Sequence, residues 1–554
     1  MMRTKLAVAA TAAALAFCAL AQTRPAARPA KPAPPVKPGT APAATTASNA
    51  TTAPAARHLA VSQPKLVVLL VVDQHRYDYL TRFTRDFNSG YLRLLNEGAV
   101  FTNAHYEHMP TVTAVGHSII STGAMPAVSG IVGNEWYDRL SSKQVTSVSD
   151  ESKQALGTTG RAASPHRLLV STIGDELKMN GRAPAKVVGI SIKDRSAILT
   201  AGRMADGAYW FDSTSGNFIS STWYFPAMPA WAQSFNERRV VDQWKGKVWS
   251  TIDTNKPILM LANEPGRTYY SGLAGSAFSN EMLVEFAEAA IEGEKLGSNE
   301  GTDLLAISFS CNDSIGHRVG PDDIAMRDVT IRTDRVIGRL FETLEKKVGM
   351  KNVLVVLTAD HGVAPLPEVM EKRKMPGGRV QEEKVIEAVN TALTARYGAG
   401  KWVLGNSGPA PYLDHNLIAA KKLSLEEVQN TAAQAVRALP YIARVFTRED
   451  LRRGMAPADF IARRVTNGFF YHRASDLFVL AQPYWLFEDA GTSHGTPYNY
   501  DSHVPLIFMG PGIKPGLYHQ RAAVNDLAAT LATLLAVETP SGANGRVLAE
   551  MLSQ

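Results

Sequence analysis

Lys65-Leu66-Val67-Val68-Leu69-Leu70-Val71-Val72-Asp73 decides the fold. Every side chain between the lysine and the aspartate is apolar, so the segment has no face to offer to water. It reads as a parallel strand covered on both sides and ended by a carboxylate. The same grammar returns at Asp303-Leu304-Leu305-Ala306-Ile307-Ser308-Phe309, leading to Asp313, and at Asn352-Val353-Leu354-Val355-Val356-Leu357, leading to Asp360. Helical stretches lie between and around them, from Asn280 to about Leu296 and from about Asp323 to Val348. A last strand, Val504 to Met509, stops at Gly510-Pro511-Gly512 before a helix from about Val524 to Leu535. Strands alternating with helices predict a doubly wound, mostly parallel α/β sheet flanked by helices.

Working outward, the sheet-forming sequence falls in three parts, residues 59–205, 269–365 and 490–554. Two segments interrupt the alternation and are expected to be inserted subdomains. Residues 206–268 hold five of the eight tryptophans among turn residues, and packing is the plainer role for those rings than substrate stacking. Residues 366–489 mix short strands with helical runs such as Leu425 to Leu439.

At the amino end, Arg3 and Lys5 precede an apolar run from Leu6 to Leu20 that closes on Ala19-Leu20-Ala21. This is the pattern of a secretory signal peptide over residues 1–21, and the run is shorter than the roughly 20 residues of a transmembrane helix. Export to the periplasm or the exterior is the expectation. Bulky Phe17 before Cys18 argues against a lipid anchor there. Residues 22–58, rich in Ala, Thr and Pro, read as a disordered linker.

The net charge of +7 belongs to this leader: seven of the 58 basic residues and none of the 51 acidic ones lie in residues 1–57. The rest of the chain is neutral, which argues against nucleic acid as a partner. Once Cys18 leaves with the signal, Cys311 is the only thiol, and no internal disulfide can form.

In an open parallel sheet the reactive crevice lies beyond the carboxyl ends of the strands, where Asp73, Asp313 and Asp360 are expected. Carboxylates gathered there repel one another unless a cation neutralises them. His317, His361 and His494 stand close by in sequence, and oxygen with imidazole nitrogen is a donor set for zinc or a similar divalent ion. Pro110 is expected to open a helix that carries Thr113 in its first turn, where backbone N–H groups favour an anion. Each piece has a plainer reading: a capping loop at Asp313 to His317, an N-cap at Thr113, a solvent-facing basic pair at Lys193 and Arg195. Their combination points to chemistry.

In combination the residues resemble the alkaline phosphatase superfamily, most closely its secreted bacterial alkaline phosphatases with a threonine nucleophile, related to type I phosphodiesterases and nucleotide pyrophosphatases. The matching pieces are Val72-Asp73-Gln74, Pro110 to His117, Gly133-Asn134, Lys193-Asp194-Arg195, Asp313 to His317, Thr358 to Gly362 and His494-Gly495. The resemblance implies two Zn2+ ions, one held by Asp73, Thr113, Asp360 and His361 and the other by Asp313, His317 and His494. It further implies Thr113 as nucleophile, a phosphothreonine intermediate, and Asn134, Lys193 and Arg195 as donors to the transferred phosphoryl group. Lys193 and Arg195, two apart, share one face if the segment is extended, and two cations suit the dianionic group of a phosphate monoester. The implied activity is therefore a secreted phosphomonoesterase. A phosphodiesterase of the same superfamily and an inactive extracellular binding module are the alternatives. No role is assigned to His117 or His503, and His75 is read as a surface or entrance residue.

Overall fold

The computed structural model describes residues 63–553; the signal peptide and linker expected over 1–58 lie outside the described residues. A ten-stranded sheet organises them. In chain order its strands are β1 (Leu66–Val72), β2 (Ala99–Phe101), β3 (Ala155–Leu156), β4 (Val187–Ser191), β5 (Gly207–Asp212), β6 (Asn217–Ser221), β7 (Asp303–Phe309), β8 (Val353–Thr358), β9 (Leu506–Met509) and β10 (Gly516–Tyr518), arranged β10-β2-β9-β8-β1-β7-β4-β5-β6-β3. The central run β8-β1-β7-β4-β5 is parallel, and β9 enters antiparallel between β8 and β2.

The three strands legible in sequence are neighbours, with Leu66 opposite both Asp303 and Val353, so their carboxyl ends finish level. Successive side chains along a strand point to opposite faces. Leu66, Val68, Leu70 and Val72 accordingly join one apolar core and Val67, Leu69 and Val71 another. Helices α1 (Thr113–Thr122), α2 (Asp194–Ala201) and α6 (Asp526–Leu535) cover the second core; α3 (Phe278–Gly293), α4 (Cys311–Val319) and α5 (Ile324–Lys347) cover the first. Burial on both faces is what the unbroken apolar runs require, at about 1.5–3 kcal/mol for each large side chain.

The tryptophan-rich segment differs from expectation at its start. Residues 207–221 supply β5 and β6 of the main sheet, because Tyr209 and Phe211 pack under one face and Trp210 under the other. Trp244 and Trp249 are buried, and the Trp249 indole N–H donates to Asp328 Oδ2 at 2.7 Å. Within residues 366–489, helices Glu382–Tyr397 and Leu425–Arg437 and the paired strands Ile442–Thr447 and Leu477–Ala481 close around a separate small core that includes Trp402. No helix of the described residues is long and apolar enough to cross a membrane.

Leu70 lies between neighbours on both sides of the sheet, fully buried. Leu70→Ala should cost about 2–5 kcal/mol, seen as a lower thermal unfolding transition, whereas Leu140→Ala, at a position 98% exposed, should leave the transition in place.

Candidate metal centre and active site

Asp73 follows β1 directly, and Asp360 follows β8 by one intervening residue; both are fully buried. Asp313 sits differently from the loop expected for it. The chain turns into α4 immediately after β7, and Asp313 and His317, four apart, share one face of that helix. Thr113 is the first residue of α1, so the helix begins three residues later than Pro110 suggested; Pro110 to Val112 form the approach to it. The expected extended Lys193–Arg195 segment is instead a helix start, with Lys193 capping α2 and Arg195 in its first turn. Their side chains therefore need not share a face.

These elements bring most of the expected residues together. Lys193 Nζ lies 2.7 Å from Asp73 Oδ2, 2.6 Å from Asp313 Oδ2 and 3.5 Å from Thr113 Oγ1. Thr113 Oγ1 is 3.5 Å from His361 Nε2, which itself lies 3.5 Å from Asp73 Oδ1 and 3.4 Å from Asp360 Oδ2. His317 and His494 approach Asp313 Oδ1 with Nε2 at 3.2 and 3.6 Å. Asn134 accepts from the Ala114 amide through Oδ1 at 2.9 Å, beside the threonine. Arg195 hydrogen-bonds neither the acids nor Thr113; its Nε is buried without a partner.

The histidines share one arrangement. Nδ1 of His317, His361 and His494 meets a backbone carbonyl, that of Thr492 at 2.7 Å, Gly362 at 2.9 Å and Thr111 at 2.8 Å respectively. A carbonyl only accepts, so each Nδ1 carries a proton and each Nε2 is turned toward the acids, the orientation metal-ligating imidazoles adopt.

Two groups of donor atoms lie within 4.8 Å of one another: Asp73, Asp360 and His361, and Asp313, His361 and His494. His361 is common to both. His317 stands at the edge of the second through its contact with Asp313. The charge balance fits cations here. Asp73 Oδ1 and Asp360 Oδ2 are buried with no hydrogen-bond partner. Burial and the Asp360 carboxylate push Asp73 well above the ordinary carboxylate range. Burial opposes ionisation of Asp313 too, but Lys193 and His317 hold it well below that range. One ammonium cannot satisfy three buried acids, and burial keeps His361 neutral by lowering its pKa to about 3.

Two nearby residues carried no role in the sequence reading. His117 is buried, with Nδ1 2.8 Å from Thr113 O and 3.2 Å from Asp360 Oδ2 and Nε2 2.8 Å from Ser308 Oγ. Gln74 reaches Asp360 and Asp313 at once; its place directly after a strand-ending acid was the available signal. His75, expected at the surface, is fully buried against Tyr79 and Tyr91. A cleft of about 380 Å³ opens from Asn134, His317 and His494, and residues 366–489 supply much of its wall, including Phe478, Leu480 and Trp485.

The sequence profile described as type I phosphodiesterase / nucleotide pyrophosphatase matches residues 67–503. The chain is 36% identical to the alkaline phosphatase PafA of Elizabethkingia meningoseptica, over 89% of this chain and 96% of that one. It is 34% identical to a protein of Myroides odoratus named calcium-transporting ATPase, covering 89% and 96%. It is also 34% identical to the alkaline phosphatase PhoV of Synechococcus elongatus, covering 90% and 95%. The 1.7 Å crystal structure of wild-type PafA superposes with a TM-score of 0.84 at 35% identity, covering 89% of this chain and all of that one. Level strand ends, a threonine at a helix start, two Asp/His donor groups and these matches agree: the chain belongs to the type I phosphodiesterase / nucleotide pyrophosphatase family of the alkaline phosphatase superfamily, as a PafA-like member.

Proposed function

We propose that this protein is an exported, zinc-dependent alkaline phosphatase that hydrolyses phosphate monoesters through a phosphothreonine intermediate. One observation carries the reading: Thr113 Oγ1 stands at the start of a helix, 3.5 Å from both the Lys193 ammonium and His361 Nε2, beside carboxylate oxygens that lack partners. The oxygen and imidazole donor set suits zinc. Two bound divalent ions would supply neutralising charge for the attacking and leaving oxygens.

The chain's own groups do the rest. Thr113 Oγ, giving up its hydroxyl proton, attacks phosphorus as the ester P–O bond breaks, and the leaving alkoxide takes up a proton and departs as the alcohol. Water then attacks the phosphothreonine, releasing inorganic phosphate and restoring the hydroxyl. The amino end of α1, at which Thr113 stands, favours the negative charge of a phosphoryl group. Asn134 fixes the first turn of that helix through the Ala114 amide and lines the cleft. Burial would depress the Lys193 ammonium, but Asp313 and Asp73 hold its pKa above the ordinary value, so it acts as fixed positive charge and never as a base. Arg195, its Nε unpartnered, adds a second cation, and two cations match a dianionic monoester group. Export rests on Arg3, Lys5 and the apolar run to Leu20.

Thr113→Ala should lower kcat/KM for p-nitrophenyl phosphate by several orders of magnitude while metal content by mass spectrometry stays near that of the parent; near-normal turnover would remove Thr113 as nucleophile. Lys193→Ala and Arg195→Ala should each lose roughly 10²–10³-fold in rate, as removal of one preorganised donor does. Dialysis against a chelator should abolish turnover and zinc should restore it. The parent enzyme should prefer p-nitrophenyl phosphate to the bis ester; the reverse preference would make it a phosphodiesterase.

A further inference from the structure

Gln74 is the first residue beyond Asp73, fully buried, and its φ of 62° places it in the left-handed region that side-chain-bearing residues rarely adopt. That conformation turns its backbone N–H onto Asp360 Oδ1 at 3.1 Å while its side-chain amide donates to Asp313 Oδ1 at 2.8 Å. The two carboxylates belong to different donor groups. Room for the amide is made by a helix glycine: a Cβ on Gly316 would stand 1.8 Å from Gln74 Oε1. Lys193 holds the other oxygen of Asp313, so the Gln74 amide completes the fixing of that carboxylate's rotation.

We infer that Gln74 is a positioning residue that ties the two metal groups into one register, its backbone N–H orienting Asp360 and its side-chain amide orienting Asp313. The inference rests on the two-metal reading above. A left-handed turn serving only chain reversal would have no use for the side chain, whereas here backbone and side chain each hold one carboxylate. Because the two bonds come from separable parts of one residue, they can be separated by substitution. Gln74→Gly accepts the positive φ without strain and keeps the N–H on Asp360, losing the amide on Asp313 together with the buried side-chain stem. Gln74→Met removes the same donor but keeps side-chain bulk.

The experiment is a competition titration of Zn2+ against a chromogenic chelator on the metal-free mature protein, with thermal unfolding of the same zinc-free samples. The parent should show two binding steps, and the step lost in His494→Ala marks the Asp313 group. In both Gln74 variants that step should weaken about 10–100-fold while the other holds, with zinc-free samples that still unfold in one cooperative transition. Equal shifts in both steps, or no shift in either, would overturn the role of Gln74. Fewer than two steps in the parent would instead overturn the two-metal reading itself.

Discussion

Three carboxylates held out of water at one sheet edge are the constraint on which the rest of this structure depends. Asp73, Asp313 and Asp360 approach one another closely enough that Lys193 touches two of them, yet two of their oxygens have no hydrogen-bond partner. Buried anions of like sign are tolerable only where cations meet them. Around them the chain supplies imidazoles whose Nδ1–H groups are already engaged by backbone carbonyls, leaving each Nε2 turned inward. Together the acids and imidazoles form two candidate metal-binding groups.

The fold creates that edge by register. Because β7 and β8 both align with β1 from Leu66 onward, the chain leaves all three strands at one level, and the residues that follow converge without long loops. The helices then aim the remaining groups. α1 presents Thr113 at its first position, α4 presents Asp313 and His317 one turn apart, and α2 presents Lys193 from its cap. Close packing sets the distances: a Cβ on Gly116 of α1 would lie 2.2 Å from Asp360 O, so that helix approaches the β8 end more nearly than any larger residue permits.

Much of this was legible in the sequence. A strand buried on both faces writes itself as an unbroken apolar run, and an acid ending such a run declares the sheet edge, so β1, β7, β8 and their aspartates could be read directly. Local conformation just past the strands could not. Asp313 to His317 carries Ser and Gly that suggest a loop, but β7 feeds straight into α4, and helical spacing is what sets Asp313 beside His317. Lys193 and Arg195 are close in sequence and were expected on one face; the helix start sends Lys193 to the acids and leaves Arg195 off them. β5 and β6 hid among turn residues, and their pairing shows only in the sheet. The contacts of Gln74 with Asp360 and Asp313 and of His117 with Asp360 were hidden, since they form at sequence separations that no local pattern encodes; only the place of Gln74 after a strand-ending acid hinted at its part.

Anomalous diffraction at the zinc edge from crystals of the protein grown with zinc tests the central claim most directly. The account predicts two strong peaks, one among Asp73, Asp360 and His361 and the other among Asp313 and His494, with Thr113 Oγ beside the first. A single peak, or peaks away from these side chains, would contradict it.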